Sequence, residues 1–251
     1  VVDETEVLEK KTEDSITDTS EESSVDTEEP EEEESDTKPA GEAPTKQHKQ
    51  RYLWCLDNGH GSLQAGKRSP VFDDGVTQLL EYEFNRDIVR RIIAALEEKG
   101  VAFFNVVPEV EVDDFLKERV YRANIKKSAL LKLFVSVHAN AAPTSGSSPW
   151  ASDDIHGIET WHFHRSSDGR QLASVFQKHL IEQTSWNNRH VKSRANRQFY
   201  VLQKTSMTAV LTENGFYNNK AQALELMKDE IRQKIADAHV AAILEVEENG
   251  L

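Results

Sequence analysis

The chain has 251 residues, a formal charge of −14 and a single cysteine. One cysteine excludes an intramolecular disulfide framework, and no stretch reaches transmembrane length. The charge belongs mostly to one segment: residues 1–50 hold 18 Asp and Glu against 5 Lys, which leaves residues 51–251 near neutral at −1, so the bulk of the chain implies neither a basic nor an acidic partner.

Residues 1–50 carry no aromatic side chain and few aliphatic ones, and Glu31–Glu34 is a block of like charge among Ser, Thr, Pro and Gly. Such a segment buries too little apolar surface to offset its ordering entropy, so a disordered acidic tail or linker is expected over 1–50. No secretory leader is read in the sequence. Because the chain begins at Val1 rather than Met, a preceding segment stays open. Residues 51–251 suit one domain with one core.

The domain opens on the apolar run Tyr52-Leu53-Trp54-Cys55-Leu56, which reads as a buried strand leading into Asp57-Asn58-Gly59-His60-Gly61. Cys55 is expected to be a small core residue. A Gly/Ser/Pro loop over 59–75 leads into a helix predicted over 77–99. Phe84, Ile88, Ile92 and Leu96 form its inward stripe, and Gly100 ends it. A second strand is predicted over 101–107. Asp113-Asp114 should cap a helix reaching about residue 128. The third strand, 130–137, runs into His138. A Pro/Ser/Gly loop over 142–154, containing Trp150, reads as a variable, substrate-facing insertion. A strand follows over 155–163, then a helix from Asp168 to about Thr184. Residues 186–197 read as polar and irregular, 199–202 as a short strand, and 209–212 as the last strand, running into Glu213. Helical sequence closes the chain to Glu248. Strands alternating with helices imply βαβ units and an α/β fold built on a mainly parallel sheet flanked by helices.

Three apolar runs thus end on His60, His138 and Glu213. In open α/β sheets, ligands bind beyond the carboxyl ends of the strands. Two imidazoles and a carboxylate delivered there suit a catalytic zinc centre with an open coordination position. A third ligand is needed, and Glu81, Glu83 and Asp87 compete for that role on the first helix. Glu81 lies nearest the helix start among apolar neighbours, but periodicity does not decide between Glu81 and Glu83. Glu213 would then be the acid/base that takes a proton from water and returns it to a leaving amine. Taken singly, each of these residues is more often structural. Three at equivalent strand ends favour function.

The motifs carry a resemblance. Leu56-Asp57-Asn58-Gly59-His60-Gly61, Glu81-Tyr82-Glu83-Phe84-Asn85, Ser136-Val137-His138-Ala139-Asn140-Ala141, His156-Gly157-Ile158-Glu159-Thr160 and Val210-Leu211-Thr212-Glu213-Asn214-Gly215-Phe216 resemble, in order and spacing, the zinc-dependent N-acetylmuramoyl-L-alanine amidases of amidase type 3. The match covers about residues 52–246. Asn58, Ser62 and Thr212 depart from the family pattern. The resemblance implies a three-layer α/β fold and one Zn2+ ion held by His60, Glu81 and His138, with Glu213 as the catalytic residue. It also implies cleavage of the amide between the lactyl group of N-acetylmuramic acid and L-alanine of the stem peptide. Asn140, His156, Arg194 and Asn196 are candidate substrate-binding residues. His162 and His164 are expected at the surface.

The expected partner is peptidoglycan, and the expected place of action is the bacterial envelope, periplasm or cell wall. Neither nucleic acid nor membrane insertion is expected. Secretion, delivery by a phage or contractile particle, and membership of a longer polypeptide or larger assembly stay open. Two other readings compete: another zinc peptidase acting on stem peptides, and a catalytically inactive wall-binding or particle-structural module.

Overall fold

The computed structural model describes residues 50–251, apart from Ala65, Asp114 and Ser145. The acidic tail expected over 1–50 lies outside the described residues except for Gln50. Six strands, β1 Tyr52–Asn58, β2 Phe103–Asn105, β3 Leu131–Asn140, β4 Ile158–His162, β5 Asn188–Lys192 and β6 Thr208–Phe216, form one sheet in the order β2-β1-β3-β6-β4-β5. β1 pairs in parallel with β2 and β3, β3 with β6, and β4 with β5. β4 runs antiparallel to β6. The helices are α1 Glu81–Glu98, α2 Leu116–Ile125, α3 Ser167–Thr184, α4 Tyr200–Lys204, α5 Lys220–Leu226 and α6 Asp229–Asn249.

Alternation along the strands divides the side chains between two faces. On one face, Trp54, Leu56, Leu133, Val135, Val137 and Val210 form the main core with α1, α3 and α6. The stripe Phe84, Ile88, Ile92 and Leu96 is fully buried there, as its spacing predicts. Each such side chain contributes on the order of 1.5–3 kcal/mol relative to exposure. On the other face, Cys55, Phe134, Ala209 and Leu211 make a smaller cluster with Val120 and Ala123 of α2 and Val201 and Leu202 of α4. The result is a three-layer α/β architecture. Burial pushes the Cys55 thiol up to about 11, which suits a core residue and not a nucleophile.

That second face turns polar toward the carboxyl ends of the central strands. Asp57 follows Cys55 by two residues, Ser136, His138 and Asn140 continue the Phe134 side of β3, and Glu213 continues the Leu211 side of β6. The cross-strand partners Asp57↔Ser136, His138↔Glu213 and Glu159↔Glu213 keep these groups on one surface.

Several boundaries differ from expectation. α1 starts at Glu81, because Leu80 is extended and bridges Arg68. β2 is shorter than predicted. The cap of α2 is Phe115, with no side-chain hydrogen bond; Asp113 precedes it. His138 and Glu213 lie inside β3 and β6 rather than after them. Residues 199–202 do not form a strand. Phe199 caps the one-turn helix α4, which buries Val201 and Leu202; so short an apolar run has no periodicity to separate the two states. Within the stretch expected to be irregular, Asn188–Lys192 forms the edge strand β5, none of whose residues is fully buried. The closing helical sequence breaks into α5 and α6.

Candidate active site

Gly59 and Gly61 let the chain turn sharply beside packed neighbours. His60 between them takes a positive φ of 63°, a strained conformation for a side-chain-bearing residue. The strain is held from outside. The His60 carbonyl accepts from Arg86 at 3.0 Å and Arg119 at 2.8 Å, and the Gly59 carbonyl accepts from Asn85 at 2.9 Å. Arg119 is itself buried, bound to Asp57 at 2.5 Å and to the Asn58 carbonyl at 2.6 Å.

The imidazoles of His60 and His138 meet the carboxylate of Glu81, the first residue of α1. His60 Nε2 lies 3.3 Å and His138 Nδ1 3.1 Å from Glu81 Oε1, and one candidate donor atom from each of the three residues falls within 4.8 Å of the others. The outer partners fix the tautomers. Gln64 Oε1 only accepts, so His60 Nδ1 donates to it at 2.5 Å. The Ser136 hydroxyl donates to Asp57 Oδ2 at 2.5 Å, so it accepts from His138 Nε2 at 3.1 Å. Both rings therefore turn a lone pair toward an anionic oxygen. Lone pairs and a carboxylate converging at this distance repel unless a cation joins them.

Two imidazoles and one carboxylate suit Zn2+, whose arms of about 2.1 Å put tetrahedral donors roughly 3.4 Å apart. Outer hydrogen bonds that orient both rings are the usual support of such a centre. The residues present therefore fit a metal ion. Burial works to raise the Glu81 carboxyl, but His138 and His60, which donate to it only when a proton takes the place of the cation, outweigh burial and hold the group at about 2. Burial lowers His138, which favours the neutral, ligating ring.

Glu213 stands beside His138 on the same face. Its Oε2 is buried with no hydrogen-bond partner among the described residues. Burial pushes its carboxyl well above the usual range, Glu81 and Glu159 add to the rise, and Lys67 and Arg194 oppose it. An unpartnered carboxyl with a raised pKa is suited to exchanging a proton with water or substrate. Behind it, Thr212 faces the other layer. The buried His239 donates from Nδ1 to the Ile235 carbonyl at 2.7 Å, so its Nε2 accepts from the Thr212 hydroxyl at 3.0 Å. Asn214 donates to that hydroxyl at 3.1 Å and to the His138 carbonyl at 3.0 Å. Thr212 is thus part of a network bracing β3 and β6.

A cavity of about 420 Å³ opens over these groups. Its lining includes His60, Glu81, His138 and Glu213, together with the expected Asn140 and Arg194. The other two candidates are not brought in. His156 is exposed, its carbonyl accepting from Asn187, and Asn196 is also exposed; neither lines the cavity. His162, expected at the surface, is buried, with Nδ1 bound to the Phe163 carbonyl at 2.8 Å. The loop 142–154 packs inward through Ala142 and Ala151 against Phe216, and the Trp150 ring meets that of Phe72 at a tilt of 52°. Lys67, Gln64, Tyr217 and Arg119 stand outside the motifs, and Asp57 and Ser136 stand inside them with no role that the sequence marks. The two-residue alternation from His138 back to Ser136 was the signal for the last of these.

The family model for N-acetylmuramoyl-L-alanine amidase matches residues 55–245. YqiI of Bacillus subtilis strain 168, described as an uncharacterized protein, is 32% identical over 192 residues, covering 75% of this chain and 81% of its own. An endolysin of Bacillus phage SPP1 is 30% identical over 200 residues, covering 78% of this chain and 66% of its own. Among solved structures, an N-acetylmuramoyl-L-alanine amidase from Clostridium difficile 630 superposes with a TM-score of 0.66 at 22% identity, covering 80% of this chain and 98% of the other.

Proposed function

Because this chain belongs to the N-acetylmuramoyl-L-alanine amidase family, we propose that it hydrolyses the amide joining the lactyl group of N-acetylmuramic acid to L-alanine in bacterial peptidoglycan. The observation that carries this reading is the convergence of His60, Glu81 and His138 beside the unpartnered carboxyl of Glu213. Residues 51–251 form the catalytic domain in this account, and the substrate places its action at the bacterial cell wall. No described helix is long and apolar enough to cross a membrane.

His60 through Nε2, Glu81 through Oε1 and His138 through Nδ1 would hold one Zn2+. When bound, the ion supplies Lewis acidity, which polarises the scissile carbonyl and acidifies water at neutral pH. The chain's own residues do the rest. Gln64 and Ser136 keep the imidazole lone pairs directed inward. Glu213 accepts a proton from the attacking water at its carboxylate and returns it to the departing nitrogen of L-alanine, without which an amide nitrogen leaves poorly. Asn140, tied to Glu159 at 2.9 Å, and Arg194 border the space the substrate would fill.

Digestion of purified sacculi tests the proposal. Free N-terminal L-alanine should appear with time. Release of a different N-terminal residue would instead indicate a peptidase, and no release from sacculi by the zinc-loaded protein would support an inactive module.

A further inference from the structure

The cavity carries three cationic side chains, Lys67, Arg119 and Arg194. Arg119 is committed, with its guanidinium on Asp57 and on two backbone carbonyls. Nearby, Arg189 and Lys192 are both spent on Glu159, at 3.0 and 2.7 Å. Lys67 and Arg194 differ: among the described residues, neither side chain makes an ion pair or a hydrogen bond, although both line the same cavity as Glu213. Arg194 is nevertheless oriented. Its guanidinium carbon lies 4.5 Å from the ring centre of Phe199 and 5.2 Å from that of Trp161. The two ring faces orient this exposed guanidinium, and its N–H groups make no hydrogen bond among the described residues, so they can meet a planar anion.

We propose that Lys67 and Arg194 form a carboxylate-recognition subsite that selects an acidic peptide on the leaving-group side of the scissile amide. The inference rests on the amidase reading. In that substrate the lactyl carboxyl is consumed in the amide and the N-acetyl groups are neutral, so negative charge falls on the peptide. Two cations that have no partner among the described residues and line one pocket are matched by such a charge. A neutral carboxamide at the same point offers one acceptor oxygen instead of two and no charge, and its NH2 faces a cation, which costs affinity in the bound state. Selection is therefore for the free acid over the amide at the residue following L-alanine.

Two soluble probes test this: N-acetylmuramoyl-L-alanyl-γ-D-glutamyl-L-lysine amide, with the glutamyl α-carboxyl either free or converted to carboxamide. The zinc-loaded protein should cut the free acid with a kcat/KM about ten- to a hundredfold higher. In Lys67→Met and Arg194→Gln that ratio should collapse toward one, with the loss falling mainly on the acid, and Arg194→Lys should restore part of it. A ratio near one in the unaltered protein would overturn the subsite, as would variants that lose both substrates equally. Sacculi are digested in parallel. Cleavage of sacculi alone moves the comparison to sacculi whose carboxyls have been capped with glycinamide, where the unaltered protein should slow and the Lys67→Met/Arg194→Gln double variant should not. No cleavage of any substrate would sink the amidase reading itself.

Discussion

The imidazole of His138 occupies the space that a side chain on Gly59 would need: a Cβ there would lie 2.0 Å from His138 Cε1. The glycine beside His60 thus serves the other histidine across the site. Gly59→Ala must push His138 out of its place or shift the turn. The expected outcome is a protein with unchanged far-ultraviolet circular dichroism that has lost most of its bound zinc and its activity. Retention of full zinc by metal analysis would show that the site tolerates the methyl group.

Ser136 joins His138 Nε2 to Asp57. Ser136→Ala leaves the ring free to turn and removes one partner of a buried carboxylate. Outer-shell losses of this kind typically cost about 10- to 100-fold in metal affinity. Competition with a calibrated chelator should report a weakening in that range, with little change in the stability of the metal-free chain beyond about 1–3 kcal/mol. An unchanged zinc affinity would remove the role given to this relay.

His239 predicts a pH dependence of stability. Burial lowers it to about 4, against about 6.5 in an unfolded chain. Between these values the unfolded state binds the extra proton, so stability rises with pH across the window. The contribution is fully present above about pH 6.5 and is lost as pH falls toward 4, with a ceiling of about 3 kcal/mol. Urea unfolding with chelator in every sample should show this loss, and His239→Gln should flatten that part of the curve even though it is less stable overall. An unchanged slope in the variant would place the titration elsewhere.

His60 and His138 each contribute one inward lone pair. His60→Ala and His138→Ala should each lower zinc content sharply while Glu81 and Glu213 stay in place. Stoichiometric zinc in both variants would contradict the metal centre.

Much of this was legible in the sequence, for identifiable reasons. The stripe Phe84, Ile88, Ile92 and Leu96 is long and periodic, so its helix and its buried face were readable. His60, His138 and Glu213 stood out because each closes or closely follows a short, largely apolar run. The limits were equally physical. Tyr200–Lys204 is too short to show a period, and Asn188–Lys192 is a polar edge strand that resembles a loop. His156 and Asn196 lie in segments whose course depends on tertiary packing, so proximity in sequence to a motif did not bring them to the cavity. Lys67 and Gln64 reach it from an irregular loop that no pattern marks. The tautomers of the two histidines could not be inferred without Gln64 and Ser136 in place.

The most direct test of the central claim compares the unaltered protein with Glu213→Gln on purified sacculi, at measured and equal zinc content. Steady release of N-terminal L-alanine by the former and a loss of about 10²–10⁴-fold in the latter are expected. Equal rates would contradict the role of Glu213 as the proton carrier, and loss of zinc from Glu213→Gln would show that this residue holds the metal instead.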